Sequence, residues 1–253
     1  MIRRVKAEHQ VVYETGKDNL LGYFGWPTVA AEKDGSLTIG VSGFRNSHVC
    51  PFGQNVIFRS TNSGKTWSEP ESINNSQIDD RDVGLTAMND EKLLLSWFTS
   101  DTRFYFKGHS YARPNRLNFR SVIDSWSDEL VQSQLGSFIR TRDDKGIWGR
   151  QIPVKVSAPH GPIQLRDGRL FYLGAPFGKY DTGGKLHFSM ETLHCMREIQ
   201  AVISSDGGET WTELGYTERA SEAHVFCEPH AIELPDGRII GMLRCQSTDY
   251  FAI

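Results

Sequence analysis

Ser204-Ser205-Asp206-Gly207-Gly208-Glu209-Thr210-Trp211 spells the pattern Ser-x-Asp-x-Gly-x-Thr-Trp. The same frame returns at Ser60-Thr61-Asn62-Ser63-Gly64-Lys65-Thr66-Trp67, with Asn in the Asp place. A worn copy, Thr141-Arg142-Asp143-Asp144-Lys145-Gly146-Ile147-Trp148, keeps the Asp and the Trp. A short Asp or Asn side chain accepts hydrogen bonds from the backbone N–H groups of its own turn. Glycine supplies the positive φ that a tight turn demands. The Trp opens the outgoing strand and packs its ring over the loop, so all three rings are expected to be largely buried. One copy is a hairpin turn; three copies in one chain are an internal repeat.

Around these turns the chain falls into units. Residues 27–31, the pair Asp34-Gly35 and residues 37–41 read as strand, tight turn, strand. Residues 55–59 form a third strand that runs into the first Trp turn. The pattern recurs with a turn at Asn89-Asp90-Glu91, again at Asp167-Gly168-Arg169, and again at Asp236-Gly237-Arg238. The sequence reaches Ile253 inside the expected third strand of that last unit. Val11-Val12-Tyr13 reads as a short opening strand. The second unit carries a long stretch, 101–133, without a turn of this kind; its Arg, Phe and Tyr content predicts an ordered cover, the place for any helix. Four-stranded units repeated around an axis make a β-propeller.

The repeated turn resembles the Asp-box of the sialidase (neuraminidase) superfamily, and the resemblance covers most of the chain. It implies an all-β fold, a six-bladed β-propeller of the sialidase type. Residues 1–253 then form one domain with about three and a half blades, and 101–133 is an insertion within the second. In that family the boxes are structural turns away from the catalytic face. An incomplete ring leaves strand edges and one blade face uncovered. A longer natural protein, and self-association through the open edges, are therefore expected.

Composition narrows the function classes. A formal charge of −3 gives no electrostatic footprint for nucleic acid or an anionic membrane. No apolar run approaches membrane-spanning length, and the basic start Met1-Ile2-Arg3-Arg4 is not followed by an apolar signal core. Cys50, Cys195, Cys227 and Cys245 form no CxxC pair and read as free thiols in a reducing compartment, which makes the cytoplasm the default expectation. Neither HxH nor HxxxH spacing is present, so no metal and no cofactor are expected.

The repeat also locates a candidate site. If the first strand of each unit is innermost, the strand starts crowd the axis on the face opposite the Asp-Gly turns. Those starts are Phe24-Gly25-Trp26-Pro27, Asp80-Arg81-Asp82, Pro159-His160-Gly161 and Cys227-Glu228-Pro229-His230. The second strands return to the same face with Arg45 and Arg244. The candidate catalytic residues are Glu228, Asp80, Asp82, His160 and His48. The candidate substrate-binding residues are Arg45, Arg81, Arg244, Trp26 and His230. Charged groups converging beside an aromatic suit a small polar ligand such as a sugar.

The resemblance sharpens two of these. In sialidases a Glu opens one inner strand and activates a Tyr nucleophile, and an Arg behind it is one of three that grip the substrate carboxylate. Glu228 and Arg244, with Asp236-Gly237-Arg238 between them, look like that pair. The departures are as specific. The family's Phe-Arg-Ile-Pro opening becomes Phe24-Gly25-Trp26-Pro27, which loses one carboxylate-binding Arg. No Asp lies between Arg45 and the first box, and the family's Tyr and third Arg would fall beyond Ile253. A divergent sialidase-like exo-glycoside hydrolase, acting on a terminal acidic sugar of a glycan, is the leading expectation. A sugar lyase using His48 or His160, or a propeller face that binds carbohydrate without catalysis, are the alternatives.

Overall fold

The computed structural model describes residues 8–106, 119–177, 179–180, 186–187, 198–217 and 225–246. Cys195 and the tail 247–253, where a third strand was expected, lie outside them. The fold is all-β and built from antiparallel blades. The first blade is β1 (Tyr23–Ala31), β2 (Leu37–Arg45), β3 (Gln54–Ser60) and β4 (Glu71–Asn74), in that spatial order. The second is β5 (Asp79–Ala87), β6 (Leu93–Ser100), β7 (Ser137–Arg142) and β8 (Ile152–Val154). Between β6 and β7 the described residues form three short helices: α1 (Arg103–Phe106), α2 (Arg120–Ile123) and α3 (Asp128–Gln134). The third blade opens with a broken strand, β9 (Val156–Ser157) and β10 (Ile163–Gln164), both paired to β11 (Leu170–Pro176). A small hairpin, β12 (Lys179–Tyr180) with β13 (Leu186–His187), precedes β14 (Gln200–Ser204) and β15 (Thr212–Tyr216). A final hairpin pairs β16 (Val225–Glu233) with β17 (Ile239–Gln246).

Two kinds of turn repeat as the sequence predicts. Asp34, Asp167 and Asp236 each accept a hydrogen bond at Oδ1 from the backbone N–H two residues on, at 2.9, 3.0 and 3.1 Å. Gly35, Gly168 and Gly237 take the left-handed position with φ of 83°, 91° and 84°; in the second blade Glu91 occupies it at 66°. In the Trp turns, Asn62, Asp143 and Asp206 accept at Oδ1 from the N–H four residues on, at 2.9, 2.7 and 2.9 Å. Ser60 and Ser204 add a second clamp, each Oγ accepting from a glycine N–H at 2.9 Å. Trp67, Trp148 and Trp211 are half-buried rather than largely buried, because each ring lays one face on a core cluster and leaves the other to solvent. The Trp211 indole N–H also donates to the Gly208 carbonyl at 3.0 Å.

Blade stacking makes the core. In a strand, alternate side chains point to opposite faces. The run Leu93-Leu94-Leu95 is buried on both. Leu93, Leu95 and Trp97 pack with Ala30 and Ile57 of the first blade, whereas Leu94 packs with Leu170 and Tyr172 of the third. In β11, Phe171 and Leu173 face the opposite way, onto Ala231 of the last hairpin. A strand sandwiched between two blades therefore reads as a continuous apolar run, as buried sheets do. The far face of the last hairpin differs: Ile232, Ile240 and Met242 are exposed. Near the axis the blades approach backbone to backbone. A Cβ on Gly84 would stand 2.5 Å from the His160 carbonyl carbon, so only glycine fits there.

The opening segment corrects the expectation of a strand. Residues 8–22 are irregular. They are held to the first blade by side chains: Val12 joins its core cluster, and Tyr13 contacts Phe24 and Phe58 at ring distances of 5.4 Å.

Candidate active site

One irregularity recurs where the first strand of a blade meets its second. In β1, β5 and β16 the pairing jumps by one extra residue, between Gly25 and Thr28, Arg81 and Gly84, and Cys227 and His230. Each is a β-bulge, a device that re-aims a side chain. At its centre stand Trp26, Asp82 and Glu228, with φ of 54°, 52° and 50°. Left-handed backbone disfavours any residue with a Cβ, and it clusters at functional sites. Each of the three lies eight residues before the Asp of its hairpin turn. The third blade has Pro159 at that offset. Proline cannot take positive φ, so the strand breaks and Gly161 takes the turn instead, at φ 73°.

Trp26, Asp82, Pro159 and Glu228 all line one cavity of about 380 Å³. His48, Arg81 and Arg244 share it, with an apolar wall of Phe98, Tyr105, Phe177 and Phe226. This is the size and mixture of a small-ligand site. It lies at the end of the strands away from the hairpin and Trp turns.

Trp26 is the hub of the polar side. His48 meets its ring edge-on at 4.9 Å, and the Arg81 guanidinium lies 4.9 Å from the ring centre. Arg81 also approaches Phe98 at 6.0 Å. A guanidinium held by aromatic faces stays fixed and partly desolvated. Asp82 is anchored through its backbone, its N–H donating to Ser42 Oγ at 2.8 Å. Its Oδ1 stands 4.0 Å from Arg81 Nε, and neither atom has a hydrogen-bond partner among the described residues. Glu228 Oε2 pairs with Arg244 Nη1 at 2.9 Å, both side chains being about half exposed.

Four sequence candidates stand elsewhere. Arg45 is fully buried, and its guanidinium forms a two-pronged pair with Asp79, Nη1–Oδ1 at 2.6 Å and Nη2–Oδ2 at 2.8 Å. It ties the first blade to the second and cannot grip a substrate. Burial pushes the Asp79 carboxyl up while the adjacent arginines pull it back. The register explains the misassignment: Arg244 pairs with Cys227, and the corresponding pair in the first blade is Ser42 with Gly25, whereas Arg45 pairs with Tyr23. Asp80 also points away from the cavity. It is buried, its Oδ2 accepts from Ser76 N–H at 2.6 Å, and burial raises its carboxyl to about 7. In a regular strand Asp80 and Asp82 would share one face, opposite Arg81; the bulge breaks that alternation and brings Asp82 to the cavity beside Arg81 while Asp80 stays buried elsewhere. His160 and His230 contact each other at 5.4 Å between ring centres, outside the cavity lining. Burial, then His160, lowers the His230 pKa.

Sequence reasoning missed Asp79 and the aromatic wall. Asp79 is the first residue of β5, next to a stretch already singled out. Tyr105 comes from α1, so its place depends on how the 101–133 stretch folds back. The eight-residue offset from the turn Asp was the available signal for the bulge residues. Among the described residues no group of three or more His, Cys, Asp or Glu side chains is set to hold a metal ion, and no helix is long and apolar enough to cross a membrane. Cys50, Cys227 and Cys245 are not in disulfides.

No protein-family profile matches the sequence, and no curated protein sequence matches it. Solved structures do match in fold. A protein of unknown function from Dyadobacter fermentans aligns with TM-score 0.63 at 18% identity, over 94% of this chain and 65% of its own. The NanB sialidase of Streptococcus pneumoniae aligns with TM-score 0.60 at 15% identity, over 93% and 50%. An α-L-arabinanase of Penicillium chrysogenum aligns with TM-score 0.51 at 14% identity, over 88% and 61%. The chain thus shares the propeller architecture of these proteins and spans half to two thirds of their lengths.

Proposed function

We propose that this chain carries the site of a sialidase-like exo-glycoside hydrolase acting on a terminal sugar of a glycan. The observation that carries the proposal is the convergence of Trp26, Asp82 and Glu228, from three blades, on one cavity through the same strained bulge. Glycosidases commonly place two carboxyl groups about the scissile bond, one to protonate the leaving oxygen and one to serve as base or nucleophile. Here Asp82 supplies the acid. Glu228, the residue that resembles the family's base, supplies the base. Trp26 offers a flat apolar face for the sugar ring, and the Phe98–Phe177 wall excludes water from the other side. The turns ending in Trp67, Trp148 and Trp211 are read as Asp-boxes, staples far from this chemistry.

A panel of chromogenic glycosides tests the proposal on the protein. Glu228→Gln is expected to lower kcat by at least ~10²-fold, the lower range for losing a positioned acid or base. Release of an unsaturated product absorbing in the ultraviolet would replace hydrolysis by lyase chemistry. Saturable glycan binding with no turnover of any glycoside would replace it by carbohydrate recognition alone.

A further inference from the structure

One ring of the cavity wall is not supplied by a blade. Phe98 and Phe226 stand in β6 and β16, and Phe177 directly follows β11, but Tyr105 belongs to α1, a single four-residue turn. A helix this short has no stability of its own, so the place of Tyr105 is set by whatever holds the turn. Asp101 starts it, Oδ1 accepting the Arg103 N–H at 3.0 Å. Arg103 then ties it down. Its guanidinium donates to Asp101 Oδ2 at 2.9 Å, to Asp128 Oδ1 at 2.9 Å and to the Trp126 carbonyl at 3.1 Å. The last two acceptors lie more than twenty residues along the chain, so Arg103 joins α1 to the start of α3.

The far end of this clamp is firmly seated. Trp126 and Asp128 flank Ser127, whose Oγ caps α3 by accepting the Leu130 N–H at 3.1 Å. Val131 and Leu135 pack with Ile123, Trp126 and Phe177 in one buried cluster. Phe98 packs against the same cluster, 6.0 Å from Phe177 between ring centres. The 101–133 stretch therefore backs two wall rings from behind, and Arg103 carries the same anchorage forward to a third. Arg103 itself is not part of the cavity lining. A single exposed ion pair contributes little. A planar guanidinium shared among three acceptors, its side chain only 23% exposed, fixes direction as well as distance.

We infer that Arg103 is a positioning residue of the cavity: it holds Tyr105 in the wall, and through that ring the 101–133 stretch sets how tightly a glycoside is held. The inference rests on the glycosidase reading for the class of ligand. Arg103 acts through Tyr105 and touches no ligand, whereas Tyr105 is the specificity-determining contact.

A double-mutant cycle tests it. The probes are the para-nitrophenyl glycosides of galactose, arabinose and N-acetylneuraminic acid, with Kd from calorimetry and, for any that turns over, KM and kcat. For at least one probe, Arg103→Met and Tyr105→Ala should each raise Kd by about fivefold or more, with kcat changed by less than about twofold. Placed on Tyr105→Ala, Arg103→Met should add less than about twofold, because the ring it positions is gone. Asp128→Ala reaches the clamp from its other end. That side chain is 84% exposed, so the variant keeps its fold, and it should raise Kd in the same direction and lose the effect on Tyr105→Ala. Additive effects of Arg103→Met and Tyr105→Ala overturn the inference, since a merely structural arginine would act independently of the ring. So does a Kd unchanged by Tyr105→Ala, a loss confined to kcat, or no binding of any of the three probes. Turnover with additive effects would sink this inference and leave the hydrolase standing. Coupled losses of binding without turnover of any glycoside would do the reverse.

Discussion

Residue 228 should invert the usual ranking of glycine and alanine in a strand. Within a strand, replacing alanine by glycine ordinarily costs roughly 0.5–1 kcal/mol of backbone entropy. At Glu228 the backbone is left-handed, with φ of 50°. A residue with a Cβ pays roughly 1–2 kcal/mol there that glycine does not. Pro229 follows, and a following proline restricts a residue with a Cβ further. The difference leaves Glu228→Gly more stable than Glu228→Ala by roughly 0.5–1 kcal/mol. The ion pair with Arg244 is lost equally in both variants and cancels. Ala231 is an internal control: it lies in the same strand, is buried, and pairs regularly with Gly241. Ala231→Gly should destabilise by about 1 kcal/mol or more, backbone entropy and a lost buried methyl acting together. Urea denaturation of the variants, compared at constant m-value, measures both steps. If Glu228→Ala is as stable as Glu228→Gly, the bulge stores no left-handed strain and the account of how three blades aim their side chains fails.

Three further perturbations follow from the buried groups. Arg45→Met strands Asp79 in the interior and should cost about 3–5 kcal/mol in urea denaturation, most of which the double variant Arg45→Met with Asp79→Leu recovers. Asp80 has its carboxyl raised to about 7 from 3.8, so the folded chain binds that proton more tightly than the unfolded chain. Its contribution is therefore fully present below pH ~4 and is lost as pH rises through ~7, and Asp80→Asn should gain on the wild type across that window, by on the order of 4 kcal/mol at most; a pH-independent difference would contradict it. Trp211→Ala should cost about 2 kcal/mol, below the ~3–5 kcal/mol of a fully buried ring, because one face of the indole is open to solvent; thermal and urea melts measure it.

What was legible in the sequence is what local chemistry determines. The Asp-Gly and Trp turns are closed by side chains two and four residues from the groups they bind, so the motif carries its own geometry. The apolar run Leu93-Leu94-Leu95 announces a strand covered on both faces. The site was legible only to the resolution of a strand start. Choosing Asp82 over Asp80 requires the bulge, which is a property of pairing between strands and not of either strand alone. Choosing Arg244 over Arg45 also requires the pairing register, since the first-blade counterpart of Arg244 is Ser42, and Arg45 is removed from the cavity by Asp79, a partner from the next blade. Tyr105 was illegible because its position is set by a long connection whose helices dock far along the chain from the residues they cover.

The bulge behaves as a socket. Its backbone is imposed by the strand pairing around it, and it holds an indole at 26, a short acid at 82 and a long acid at 228 with φ within a few degrees. The strain is the same whichever side chain is mounted, so exchanging one non-glycine residue for another there changes what the cavity can do while leaving the frame's stability nearly untouched. Chemistry on this scaffold can thus drift independently of architecture. The socket also gives an engineer a short address for new activity: the eighth residue before Asp34, Asp90 and Asp236.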